Sequence, residues 1–216
     1  MEKTDNRRFI SFEGIDFSGK STQIALLRDW LQQRGFEVYI LREPGGTEIS
    51  EKIRRILLDK DHSNMTEHTE IFLYSAARAQ LVQEKIIPLL RRGAFVIADR
   101  YVDSTTAYQG YGRGIDLDVV AKINQAATYG LMPGTTFLLD LTPQQAEERR
   151  RNGQRSTDRM EEGGREFFER IYNGYHRLAR QEPVRFVNID AMQPIEPIHR
   201  QIVNVIKTRN KIQVEQ

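Results

Sequence analysis

Gly14-Ile15-Asp16-Phe17-Ser18-Gly19-Lys20-Ser21 decides the fold of this 216-residue chain. It matches G-x-x-x-x-G-K-[ST] at every fixed position. The apolar run Phe9–Phe12 precedes it, and Ile24, Leu27 and Leu31 follow at helical spacing before Gly35. Strand, glycine-rich turn and helix form the context in which this pattern holds phosphate. Glycines let the backbone curl until successive N–H groups face one anion. The following helix adds the positive end of its dipole. Gly14 to Thr22 is therefore the expected cradle for the phosphates of a nucleotide. Lys20 has the reach for the β- and γ-phosphates, and the Ser21 hydroxyl suits Mg²⁺. The plainer reading, a glycine-rich turn with a chance lysine, leaves the flanking strand and helix unexplained. By itself the motif states only that phosphate is bound, because GTPases, motors and kinases share it.

Working outward, four more short apolar runs appear: Val38–Leu41, Phe95–Ala98, Thr136–Leu141 and Val184–Ile189. Helical patterns separate them. Ile53, Ile56 and Leu57 recur before Asp59, and a long pattern from Glu67 to Arg92 stops at Gly93. Near-continuous apolar strands alternating with helices predict a parallel sheet covered on both faces. No repeat at a period of 20–50 residues interrupts this reading. We expect a single domain over residues 1–216. Its charge-dense segment at about 147–164, with Arg149, Arg150, Arg151, Arg155 and Arg159 around Gly153, is expected to be a mobile lid.

Lys and Arg together number 32 against 30 Asp and Glu, so charge gives no reason to expect a nucleic-acid or membrane surface. The start of the chain, Glu2 to Arg8, is almost all polar and does not read as a signal peptide. With no cysteine there is neither a disulfide nor a Cys-ligated metal. A cytoplasmic location is the expectation.

Phe95–Ala98 ends in Asp99, an acid placed to meet Mg²⁺ directly or through water; a plain cap for the next segment is the competing view. Arg100 follows directly, where a switch GTPase would carry a glycine two residues further on, and no Asn-Lys-x-Asp for guanine occurs. GTPase and motor readings weaken, and small-molecule phosphoryl transfer gains.

Five stretches in order then resemble the thymidylate kinase family. They are Phe12 to Gln23, Leu41-Arg42-Glu43-Pro44-Gly45-Gly46-Thr47, Tyr74-Ser75-Ala76-Ala77-Arg78, Asp99-Arg100-Tyr101 through Ala107-Tyr108-Gln109-Gly110, and Asp158-Arg159-Met160-Glu161. The likeness runs from about residue 8 to about 206. It implies a P-loop nucleoside monophosphate kinase fold, a five-stranded parallel sheet in the order 2-3-1-4-5 with helices on both faces. It implies transfer of the γ-phosphate of ATP to dTMP, with Mg²⁺ and a homodimer.

The resemblance also implies roles. Arg42 grips the dTMP phosphate, a task that suits a bidentate guanidinium. Tyr74 and Arg78, four apart on a helix, share a face; Tyr74 stacks on thymine and Arg78 donates to O4. Arg100 offsets charge between the two phosphate groups. Thr105 and Gln109 address the thymine edge, Tyr108 blocks a 2′-OH, and Asp16 accepts the 3′-OH. Because Phe17 follows Asp16, with no basic residue there, the chain is similar to the bacterial variant whose catalytic arginine lies in the lid. Arg151 and Arg155 lead as candidates, with Arg149 and Arg150 in reserve. Phe17 departs from the small residues commoner in that variant, which bears on loop packing rather than on backbone phosphate contacts. The alternatives are another kinase of the same fold, acting on a deoxynucleoside or a different monophosphate, and a P-loop protein that switches on ATP without transfer; a nucleoside acceptor has no phosphate for Arg42 to grip, and a switch has no need of Arg42, Tyr74, Arg78 and Tyr108.

Overall fold

Each of the five apolar runs becomes a strand in the computed structural model, which describes residues 6–152, 159 and 164–212. The strands are β1 (Phe9–Glu13), β2 (Val38–Arg42), β3 (Phe95–Asp99), β4 (Thr135–Asp140) and β5 (Phe186–Asp190). All pair in parallel, in the order β2-β3-β1-β4-β5. That is the expected order. β5 starts two residues late because Val184 lies exposed in the preceding turn, where Arg209 takes its carbonyl.

Parallel strands need crossovers, and the helical patterns supply them. The helices are α1 (Lys20–Gln32), α2 (Glu48–Leu58), α3 (Glu67–Leu81), α4 (Ile87–Arg91), α5 (Val102–Thr105), α6 (Leu117–Thr128), α7 (Pro143–Asn152), α8 (Gly164–Gln181) and α9 (Ile195–Asn210). The pattern from Glu67 to Arg92 stays helical but widens by one turn at Val82–Ile86, between α3 and α4. A second wide turn, Thr106–Gly112, extends α5.

Alternation along the strands places helices on both faces. Ile10, Phe12, Phe95 and Ile97 pack with α1, α8 and α9 through Leu27, Ile171 and Ile202. Their neighbours Phe9, Val96 and Ala98 pack on the other side with Leu81 and Leu90. Register then assembles the site. Phe12 and Arg42 both stand beside Asp99, so the loop after β1 and the ends of β2 and β3 meet at one edge of the sheet. Open α/β sheets bind ligands there, beyond the carboxyl ends of the strands.

Candidate active site

The phosphate loop takes its shape from steric need. Gly14 has φ +125°, and a Cβ there would lie 2.6 Å from the Leu139 carbonyl oxygen. Phe17 adopts φ +65°, a left-handed conformation uncommon for a non-glycine residue. Its carbonyl accepts a hydrogen bond from Arg149 Nη1 at 3.1 Å. Lys20 is buried and folds its Nζ back onto the carbonyls of Gly14 and Ile15, each at 2.9 Å. Burial, then the nearby Arg100 charge, lowers its pKa to about 8.

Most of the expected residues line one cavity of about 480 Å³. Asp16, Phe17, Gly19, Lys20, Ser21 and Thr22 of the phosphate loop line it with Asp99, Arg42 and Arg100, and so do Tyr74, Arg78, Thr105, Tyr108 and Gln109. Gly14, Ile15 and Ser18 shape the loop without lining this cavity.

Arg100, at φ +74°, donates through Nη2 to Asp16 at 2.8 Å and through Nη1 to the Gly14 carbonyl at 3.0 Å. Its guanidinium lies 5.1 Å from the Tyr108 ring centre. Arg78 is almost wholly enclosed. It pairs with Glu43 at 2.6 Å, and donates to Thr105 Oγ1 at 2.8 Å and to the Tyr101 carbonyl at 3.1 Å. Burial raises the Glu43 carboxyl, and the Arg78 charge opposes that shift. Arg42 is half-exposed and meets Glu51 at 3.3 Å. A Gly46 backbone N–H and then Arg42 hold Glu51 below its usual range.

The arginine-rich segment is only partly in view. Arg155 lies outside the described residues. Arg151 points outward, paired with Glu147 at 3.0 Å, and Arg150 shares that carboxylate. Arg149, kept in reserve by the sequence reading, is the one placed against the phosphate loop, and it also donates to the Ala191 carbonyl at 2.7 Å.

Several site residues escaped sequence reasoning. Glu43, Pro44, Arg54, Leu58 and Ser104 also line the cavity. Glu13 lies wholly buried behind it. It accepts from the Tyr101 N–H at 2.7 Å, Ser104 Oγ at 2.6 Å and the Tyr175 hydroxyl at 3.0 Å. Burial, then the neighbouring Asp103 charge, pushes its pKa up to about 7. A carboxylate ending an otherwise apolar strand was its available signal.

A loop built for one set of phosphates, facing a walled pocket that brings arginines of its own, is the arrangement of a P-loop kinase that acts on a small nucleotide. Comparison with known proteins narrows that class. The family model "Thymidylate kinase" matches residues 12–202. Thymidylate kinase of Thermoanaerobacter sp. (strain X514) is 46% identical over 200 residues, 93% of this chain and 97% of its own. That of Chlorobaculum parvum is 47% identical over 206 residues, covering 92% and 94%. The crystal structure of thymidylate kinase from Ehrlichia chaffeensis superposes with a TM-score of 0.74 at 32% identity, over 92% of this chain and 97% of that one. The chain belongs to the thymidylate kinase family, ATP-dependent nucleoside monophosphate kinases that phosphorylate dTMP to dTDP.

Proposed function

We propose that this chain transfers the γ-phosphate of ATP to dTMP, giving dTDP and ADP, with roles divided along the cavity. The observation that carries the reading is the continuity of that cavity, from Lys20 and Ser21 past Arg100 to Arg78, Thr105 and Gln109. Transfer of this kind needs positioning and charge stabilisation rather than a covalent enzyme intermediate. Backbone N–H groups of the loop and Lys20 hold the donor phosphates. Arg42 and Arg100 hold the attacking phosphate in line, and Asp16 orients the 3′-OH. Tyr74 stacks on the base, while Arg78, Thr105 and Gln109 read its edge. Tyr108 fills the space a 2′-OH would need.

Ser21 and Asp99 are hard oxygen donors in the same cavity, and they fit Mg²⁺, which prefers one or two protein oxygens plus substrate phosphates. When bound there, Mg²⁺ neutralises charge developing on the donor phosphates. A lid arginine completes the donor end, and closure of the 147–164 segment excludes water from the transfer. We take residues 1–216 as a single domain on this plan.

No described helix is long and apolar enough to cross a membrane, and a cytoplasmic setting fits a dTTP-supplying enzyme. Phe72 on α3, Ile49 and Ile56 on α2, and Leu117 and Val119 on α6 are large apolar side chains left exposed. They support a homodimer that buries them. The testing experiment is a coupled assay with ATP–Mg²⁺ against dTMP, dUMP, UMP, CMP, AMP and GMP. Turnover concentrated on dTMP is expected; a preference for a purine acceptor would overturn the assignment.

A further inference from the structure

Behind the base-reading wall lies a carboxylate that does not itself line the cavity. Glu70 on α3 is about 1% exposed, yet four donors converge on it. Gln109 Nε2 donates to Oε1 at 3.0 Å, Arg113 Nε to Oε1 at 3.1 Å and Arg113 Nη2 to Oε2 at 3.2 Å. Arg159 Nη2 stands 2.6 Å from Oε2, while its Nε donates to the Leu57 carbonyl at 2.8 Å. Two guanidiniums hold one buried carboxylate, and so Glu70 remains ionised. An ionised carboxylate only accepts hydrogen bonds. Gln109 must therefore turn its amide nitrogen toward Glu70. The half of the amide left for a ligand is the carbonyl Oε1, a pure acceptor.

We propose that Glu70 is a positioning residue for base specificity: it locks the Gln109 amide with its carbonyl toward the acceptor, and so selects a pyrimidine whose N3 carries hydrogen. This rests on the reading that Gln109 faces the base edge. Thymine and uracil offer N3–H to that carbonyl. Cytosine offers a lone pair, which the locked carbonyl repels. Were the amide free to turn, either base could be met by one of its halves, and this part of the selection would vanish. The two arginines act through Glu70, since they keep it an acceptor.

Cytosine also differs at C4, where Arg78 stands, so dCMP does not isolate the effect. The better probe is the 2′-deoxynucleoside monophosphate of 5-methylpyrimidin-2-one, which keeps the methyl group, sets no amino group against Arg78 and turns N3 into an acceptor; its loss of O4 is common to all variants and cancels when their ratios are compared. The kcat/KM ratio of dTMP to this probe is measured for the parent, Glu70→Gln and Gln109→Ala. Glu70→Gln can donate to Gln109 and release its orientation. A mismatched buried polar group costs roughly tenfold or more, so both variants are expected to narrow the ratio by about that factor. A merely structural role for Glu70 would lower both rates together and leave the ratio alone. A folded Glu70→Gln with the parental ratio, beside a Gln109→Ala that narrows it, overturns the proposal while leaving the base-edge reading intact. An unchanged ratio in Gln109→Ala instead removes the base-edge reading itself, and the proposal with it. If Glu70→Gln does not fold, side-chain amide NMR of the parent decides the matter. Gln109 Nε2 protons protected from exchange before and after dTMP is added are expected; protons exchanging like those of an exposed glutamine overturn it.

Discussion

Arg100 and Asp16 form the contact that ties the two halves of the catalytic cleft together, Nη2 to carboxylate at 2.8 Å. Asp16 belongs to the loop after β1, and Arg100 to the turn after β3. Arg100 also donates to the Gly14 carbonyl, in the backbone of the same loop. Behind it Ser104 and Tyr175 stand at 3.3 and 3.4 Å from Nη1, and both reach Glu13. The Arg100 guanidinium is thus held by the Asp16 carboxylate on one side and linked through Ser104 and Tyr175 to Glu13 on the other.

Asp16 is only partly enclosed and lines the cavity beside Arg100. We expect 3′-deoxythymidine monophosphate to be a poorer acceptor than dTMP by roughly 10–100-fold, the worth of a hydrogen bond to a charged group. Asp16→Asn should shrink that gap. Steady-state kinetics with both acceptors is the check, and equal rates in the parent would remove the 3′-OH assignment.

Lys20 presents a pH dependence. Its pKa near 8 reflects burial and Arg100 in the absence of phosphate. A bound polyphosphate favours the charged form and raises that pKa. Nucleotide binding should therefore take up a proton around pH 8, and affinity should fall as pH rises through that value. Calorimetry in buffers of different ionisation enthalpy reads the proton count directly. Lys20→Ala should slow turnover on the order of 10²–10³, although it also leaves the Gly14 and Ile15 carbonyls without their shared donor.

Tyr108 is nearly enclosed, packed edge-on against Phe167 and Tyr175. As a steric gate its ring matters rather than its hydroxyl. Tyr108→Phe should keep dTMP well ahead of ribothymidine monophosphate, and Tyr108→Ala should narrow the difference. The alanine variant also opens a core cavity, at a cost of about 3–5 kcal/mol, so thermal melts must accompany the kinetics. A parent protein that uses both acceptors equally would rule out the gate.

The sheet was legible because its strands are apolar on both faces and its motif needs one local context. Residues whose meaning is local, such as Gly14, Lys20 and Asp99, could be placed from sequence. Glu13, Glu70 and Tyr175 could not. Their roles arise from partners far along the chain: Glu13 meets Tyr175 across 162 positions and Glu70 meets Gln109 across 39. Arg78 lines the cavity, and its pairing with Glu43, 35 positions away, is a product of the fold. A run of three arginines on one helix gives no signal of which faces inward; the fold sets Arg149 against the phosphate loop.

Glu13 makes a stability prediction whose sign is fixed by its raised pKa. Folded, it titrates at about 7 against an ordinary 4.5. Between those values the folded protein holds a proton that the unfolded chain has released, so stability falls as pH rises through the window. The contribution is full below about pH 4.5 and lost above about pH 7. Glu13→Gln, which cannot ionise, should show a smaller drop in melting temperature between pH 5 and pH 8 than the parent. Parallel slopes in the two proteins would contradict the assignment.

One arginine of the 147–164 segment is expected to serve the donor phosphates. Arg149 already touches the loop, through the Phe17 carbonyl, and is anchored to Ala191 on the far side. Arg150 and Arg151 are spent on Glu147, whose carboxyl they hold near 2. That pairing is an exposed one, and exposed pairs are worth about 0–1 kcal/mol, so a polyphosphate can displace it. Arg155 remains a candidate on composition. Single replacements by alanine at 149, 150, 151 and 155 separate these. An arginine whose main contact forms in the transition state lowers kcat much more than it raises KM; one that only binds ATP raises KM. We expect one position to lose at least tenfold in kcat, about 1.4 kcal/mol. Hydrogen exchange with and without a bisubstrate analogue should show protection across 147–164 rising in the bound state. Four mild kinetic phenotypes together with equal protection in both states would refute catalysis by this segment, and leave Arg100 and Lys20 to carry the charge alone.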